Sequence, residues 1–188
     1  MIRLGILGST RGSNMEALVD AINQRDLSAT IAVVVSNKVD AGILARAQSK
    51  KIATEFIDSK QLERSLFDLK ISALLQKYQV DLVVLMGYMR ILSKEFVMSW
   101  QNKIINVHPS LLPDFAGLMD LMVHASVLAA DKKETGCTVH YVTEEVDAGP
   151  IIIQKKCPVF STDTKETLKL RVQSLEGPAL IEAIRLIG

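Results

Sequence analysis

Short apolar runs alternate with longer stretches of helical spacing through the first half of this chain. Residues 2–7 and 80–86 are hydrophobic without alternation, which predicts strands covered on both faces. Residues 30–35, 53–57 and 103–107 are further strand candidates, rich in β-branched side chains. Between them, Met15, Leu18, Val19 and Ile22 fall on one helical face, predicting a helix to about Arg25. Residues 41–49 form a second helix. Residues 61–78 carry Leu62, Leu66, Leu69, Ala73, Leu74 and Tyr78 at helical intervals. Residues 93–100 form a short helix opened by a serine cap. Strands that alternate with helices demand a parallel sheet with helices packed on it.

The second half changes character. Residues 121–131 read as a helix, and residues 136–143 alternate like a half-exposed strand. Another strand follows at 150–155, so this half is expected to pair antiparallel. A long helix over 162–187 closes the chain, with an interruption expected at Gly177-Pro178. The pattern therefore predicts an α/β fold: a Rossmann-like three-layer αβα arrangement around a mostly parallel, twisted sheet of about seven strands.

Composition narrows the function classes. At 188 residues, with 48% hydrophobic and 23% charged positions and a net charge of +1, the chain fits one ordinary globular domain. Near-neutral charge gives no general attraction to nucleic acid or to a membrane surface, so any anion must be bound locally. No apolar run is long enough to span a bilayer, and residues 1–8 are too short for a signal peptide. The two cysteines, Cys137 and Cys157, are too few for a zinc site and fit buried thiols in a reducing, cytoplasmic setting.

Chemistry concentrates at residues 104–113, Ile-Ile-Asn-Val-His-Pro-Ser-Leu-Leu-Pro. Asn106 and His108 are two apart on a strand and point to one side. Pro109 and Pro113 then force an irregular loop. An amide donor beside a titratable ring, at the carboxyl end of a buried strand, suits chemistry at a carbonyl. The glycine-rich turn Gly8-Ser9-Thr10-Arg11-Gly12-Ser13-Asn14 lies between a strand and a helix N-terminus, where backbone N–H groups and the helix dipole favour an anion. A simple helix cap by Ser13 or Asn14 explains the same residues. The acidic stretch 143–150 ends in Gly149-Pro150 and reads as a loop. It is either a solvated turn or the source of a carboxylate for His108, which would raise the imidazole pKa. Gln173 and Glu176 share a helix face and fit either ligand contacts or solvation. His124 and His140, without partner motifs, read as packing groups.

Together these segments resemble the glycinamide ribonucleotide formyltransferase family. The resemblance rests on Gly12-Ser13-Asn14, on Gly87-Tyr88-Met89-Arg90-Ile91-Leu92, on the Asn-x-His-Pro-Ser-Leu-Leu-Pro segment, and on Gly136-Cys137-Thr138-Val139-His140 leading to Asp147-Ala148-Gly149-Pro150. It implies the formyltransferase fold, with 1–188 as one domain. Residues 1–100 would be the phosphate-binding half and 101–188 the catalytic and folate-binding half. Asn106, His108 and Asp147 match the catalytic trio. Gly12, Ser13 and Asn14 match the loop for the ribonucleotide phosphate, joined by Gln173 and Glu176. Arg64, Met89, Arg90, Ile91, Leu92, Asn106, Thr143, Glu144, Glu145, Val146 and Asp147 match the folate site.

The implied co-substrate is 10-formyltetrahydrofolate, with no metal. The partners would be folate and ribonucleotide small molecules, and the chain a monomer or weak homodimer. A 10-formyltetrahydrofolate hydrolase, or a non-catalytic nucleotide-binding module, is the alternative. The chain departs from the family between Pro113 and Gly136, where it resembles a longer variant and lacks a second histidine soon after Gly117.

Overall fold

The computed structural model describes all residues, 1–188, and divides into two compact units. One is Met1–Asn106 with Gly188, and the other is Val107–Ile187. The first is built from β1 (Ile2–Leu7), α1 (Met15–Asn23), β2 (Ala29–Ser36), α2 (Gly42–Ser49), β3 (Thr54–Phe56), α3 (Arg64–Lys77), β4 (Leu82–Leu85), α4 (Lys94–Ser99) and the first residues of β5 (Ile104–His108). Its strands lie in the order β3-β2-β1-β4-β5, and every adjacent pair is parallel.

Consecutive residues of these strands are buried: Leu4, Ile6 and Leu7 on β1, Val33 and Val34 on β2, and Val83 and Val84 on β4 are fully inaccessible. Neither face is left to water, as the unalternating sequence requires. Helices pack close on this sheet. A Cβ at Gly5 would lie 2.6 Å from Cδ2 of Leu75 on α3 and 2.9 Å from both Cγ atoms of Val80, so this glycine leaves room for those side chains against the sheet. The Trp100 indole donates to Ser72 Oγ at 2.9 Å, which ties the end of α4 to α3. Ser93 caps α4 through its hydroxyl, accepting from Phe96 N. The cap expected from the sequence is there.

The second unit carries α5 (Leu121–Ala129), β6 (Glu134–Tyr141), β7 (Ile151–Pro158) and α6 (Lys165–Ile187). β6 and β7 are antiparallel, from Glu134↔Pro158 to Val139↔Ile153. The register then slips so that His140 faces Ile151, passing over Ile152. The chain thus has seven strands, parallel through β5 and closing with an antiparallel pair. No helix is long and apolar enough to cross a membrane.

Two expectations are corrected here. β6 is buried from Thr135 to His140 and is not half-exposed. α6 packs on β6 and β7. Thr138 meanwhile takes the loop after β5: its Oγ1 donates to Ser110 O at 2.7 Å and accepts from Leu112 N at 3.0 Å. Gln154 Nε2 donates to both Thr138 Oγ1 and Leu112 O at 2.9 Å. The polar member of the alternation is thus hydrogen-bonded inside, not solvated.

The second correction concerns α6, which runs without interruption through Pro178. Gly177 before the proline has no Cβ to clash with its ring. Pro178 and Ser174 lie on the exposed side, so the Ser174 carbonyl that loses its usual donor can face water.

Both cysteines are free and buried. Burial, with the nearby Glu176 charge, pushes the Cys137 thiol up to about 12, so it packs as a neutral group.

Gly136 is where this arrangement is least forgiving, since a Cβ there would sit 1.9 Å from the Lys155 carbonyl oxygen of β7. Gly136→Ala is expected to lower the thermal midpoint and cost at least about 1–3 kcal/mol, the usual range for overpacking. An unchanged denaturation curve would show that the β6-β7 ladder can open freely at this point.

Candidate active site

In the strand order 3-2-1-4-5, the direction of winding reverses between β1 and β4. The crevice at the carboxyl ends of those two strands is where such sheets bind ligands. The loops that emerge there are 8–14 after β1 and 86–93 after β4. Ser9 ties them together: its N–H donates to Gly87 O at 3.1 Å, and its Oγ accepts from Met89 N at 3.0 Å and donates to Asn37 Oδ1 at 2.6 Å.

Gly12 has φ of 63°, and a Cβ on it would meet Ile43 at 2.3 Å. Glycine is needed at that turn for both conformation and space. Asn14 stands at the N-cap of α1 but its side chain makes no capping bond, which removes the simple helix-cap explanation for it. Ser13 is exposed at the same helix start. In the 86–93 loop, Met89 and Ile91 are exposed while Leu92 is buried, so an apolar surface lies open beside the crevice. Arg64 is exposed at the first turn of α3.

Asn106 and His108 both belong to β5, two residues apart. Within the second unit, His108 is 3% exposed and meets the carboxylate that the sequence could not place. Its Nδ1 lies 3.2 Å from Asp147 Oδ2, and its Nε2 lies 3.2 Å from the Phe115 carbonyl oxygen. Asp147 is held from three sides. Gly117 N–H donates to its Oδ2 at 2.9 Å, and its Oδ1 lies 3.5 Å from Nε2 of His140. Nδ1 of His140 is in turn 2.9 Å from the Tyr141 carbonyl. Asp147 adopts φ of 55°, a left-handed conformation that aspartate tolerates better than most residues. The loop carrying it closes at its base through Tyr141 N–H donating to Pro150 O at 2.9 Å.

Residues 2–184 match the formyl transferase family along nearly the whole chain. The chain belongs to that family. Among its relatives, the trifunctional purine biosynthetic protein adenosine-3 of Gallus gallus is 44% identical over 188 residues. That match takes in 100% of this chain but 18% of the relative, so the chain spans less than a fifth of the trifunctional proteins it resembles. The phosphoribosylglycinamide formyltransferase of Haemophilus influenzae is 40% identical over 177 residues, covering 94% of this chain and 82% of that protein. The crystal structure of glycinamide ribonucleotide transformylase 1 from Symbiobacterium toebii superimposes with a TM-score of 0.95 at 40% identity, over 100% of this chain and 87% of that one.

The electrostatics of this formyl transferase correct one expectation. The Asp147 carboxylate does favour the imidazolium of His108, but burial outweighs it and the His108 pKa lies below its ordinary value. Burial also pushes Asp147 up. The bonds from His140 and Gly117 and the charge of His108 outweigh it and hold the carboxyl below its usual range. Asp147 is therefore ionised and His108 neutral near pH 7. An ionised oxygen at 3.2 Å favours the tautomer with its proton on Nδ1, leaving the Nε2 lone pair turned to another acceptor, Phe115 O. A ring in that state is ready to take a proton at Nε2, where the carbonyl then accepts it.

His140 is a member of this site that its sequence context hides, because a lone histidine on an alternating strand reads as a packing group. Its signal was its place, seven positions before Asp147 at the mouth of the same loop. Glu176 is buried on α6, which rules out a solvated face for it, and Gln173 is half-buried one turn before. Thr143 Oγ1 donates to Glu145 O at 3.1 Å, and Glu144, Glu145 and Val146 are exposed along the loop.

His124 on α5 is 1% exposed and its Nδ1 has no hydrogen-bond partner. Burial, helped by the Lys169 charge and opposed by Asp120, pulls its pKa down to about 4.

Two outcomes are expected. Asp147→Asn removes the charge that opposes burial, so the His108 titration followed by NMR should move to still lower pH; no movement would separate the two groups. His124 titrates near 6.5 when unfolded and about 4 when folded, so the native state binds this proton less readily. Its contribution is complete above pH 6.5 and lost progressively towards pH 4, by about 3 kcal/mol in all. Denaturant midpoints of His124→Gln should fall less steeply over that window than those of the parent.

Proposed function

We propose that this chain transfers the formyl group of 10-formyltetrahydrofolate to the glycine amine of glycinamide ribonucleotide, giving formylglycinamide ribonucleotide and tetrahydrofolate, a step of purine biosynthesis. The observation that carries the proposal is the buried pairing of His108 with Asp147, on and beyond the strand that bears Asn106, in a formyl transferase. It is supported by relatives at about 40% identity that are named for this activity and match over most of their length.

The amine attacks the formyl carbon, and negative charge develops on the formyl oxygen of a tetrahedral intermediate. The Asn106 amide donates to that oxygen. Neutral His108 accepts the proton released by the attacking nitrogen and, as imidazolium between Asp147 and the Phe115 carbonyl, steadies the developing charge. It then returns the proton to the folate nitrogen as the carbon–nitrogen bond breaks. This order differs from a histidine protonated at rest, and it follows from burial outweighing the carboxylate. Asp147 keeps the ring in its tautomer and stabilises the cation, with Gly117 N–H and His140 holding the acid in turn.

Gly12, Ser13 and Asn14, with Gln173 and Glu176, take the ribonucleotide. Arg64, the 89–92 segment, Asn106 and the 143–147 loop take the folate. The first unit then supplies mainly the phosphate site and the second mainly the chemistry. Both partners are small molecules, the protein works as a monomer or weak homodimer, and its free thiols fit the cytoplasm.

Incubation with 10-formyltetrahydrofolate, with and without glycinamide ribonucleotide, tests the reading. Tetrahydrofolate is expected only when the ribonucleotide is present. Release with water alone would make the protein a hydrolase, and no release in either arm would leave a binding module. Asn106→Ala is expected to depress turnover about a hundred- to a thousandfold, as loss of one oxyanion donor does.

A further inference from the structure

The first unit holds a buried ionisable cluster that the proposed reaction leaves unused. Asp68 lies one helical turn past Arg64 on α3 and is 1% exposed. Its Oδ2 accepts from Ser93 N–H at 2.5 Å, while its Oδ1 has no partner. Tyr88 OH and Arg90 Nε, from the loop after β4, are also buried without partners. The Arg90 guanidinium lies over the ring of Phe67, 4.6 Å from its centre, next to Asp68 in the chain. Burial pushes the Asp68 carboxyl up, and the Ser93 bond and the charges of Arg90 and Arg64 pull it back.

A structural role alone does not account for a carboxylate here. Ser93 Oγ already caps α4 by accepting from Phe96 N–H, and Asp68 takes the N–H of Ser93 itself. Its hydrogen bonds go to Ser93, which closes the 89–92 segment, and the cations that act on it are Arg90, inside that segment, and Arg64, on its own helix face. A desolvated carboxylate with one free oxygen carries a cost that a residue of similar size without charge would not. It does, however, keep a partly buried guanidinium compensated and fix the backbone at the segment's end.

We propose that Asp68 is a positioning residue for the folate co-substrate: it holds the backbone at Ser93, where the 89–92 segment ends, and so keeps Met89 to Leu92 in the shape that receives the folate. The proposal rests on the assignment of those residues to folate made above. It adds a residue that touches neither substrate.

The test uses wild type, Asp68→Asn, Asp68→Ala, Ser93→Pro and Arg90→Gln. The readouts are calorimetric titration with tetrahydrofolate and steady-state kinetics against each substrate. Asp68→Asn still accepts from Ser93 N–H but carries no charge. It is expected to weaken folate binding and raise the folate KM about three- to tenfold, and Asp68→Ala more, as expected for loss of a charge-assisted bond. The ribonucleotide KM and kcat should stay within about twofold. Arg90→Gln lies in the folate-contacting segment itself and sets the scale of the loss. Ser93→Pro removes the N–H that Asp68 binds, at a φ of −72° that proline accepts, and should reproduce the folate loss, which keeps the test decisive if an Asp68 variant fails to fold. Wild-type folate affinity in the folded variants, whatever their melting temperatures, overturns the proposal, as does a parallel rise in both KM values. Wild type that binds no folate would instead overturn the functional reading itself.

Discussion

Parallel pairing is the constraint from which the rest of this molecule follows. Two parallel strands cannot be joined by a tight turn, so each connection in the first unit must cross back through a helix. All carboxyl ends of β1 to β5 then open on one edge of the sheet, and the strand order reverses next to β1. The glycine turn and the 86–93 loop leave that edge at neighbouring strands and are joined through Ser9. β5 runs parallel to β4 and carries Asn106 and His108 towards its carboxyl end.

The second unit solves a different problem, that of keeping a carboxylate ionised where water is scarce. Asp147 is only 10% exposed as a side chain, yet it has a backbone N–H and two imidazoles about it. Those partners outweigh the loss of solvent. For His108 the balance falls the other way, since a single carboxylate and a carbonyl do not offset burial of a cation. The pair therefore rests as carboxylate and neutral ring. Under the proposed reaction that division of charge supplies a base before the bond forms and an acid after it.

Much of this was legible in the sequence, and the misses have physical causes. Helix and strand positions followed from period, and the serine cap of α4 from its residue type, but the face of α3 did not. Leu66, Leu69 and Ala73 of the expected stripe are exposed, and Phe67, Ile71 and Leu75 are buried instead. That Asn106 and His108 stand two apart on one strand followed from the apolar run that carries them. Most of what failed depends on distant partners. β6 looked half-exposed because Thr138 and His140 are polar, but both are buried, Thr138 through bonds to residues 110 and 112 far away in the chain. Gly177-Pro178 looked like a break, although local geometry lets α6 continue through it. The His108 pKa was assigned from one neighbour, whereas its sign is set by how much of the chain closes around it. The buried Asp68 left no mark at all in the periodicity of α3.

The slipped register beyond Val139 carries a further implication. Which side of a sheet a residue faces is a binary property, reversed by each added residue and restored by the next. By skipping Ile152, the ladder spends one such reversal where the reactive loop rejoins the sheet. Exchanges of side chains in residues 141–152 can be absorbed by degrees. A change of one residue in its length cannot, because it would return the strand inside out.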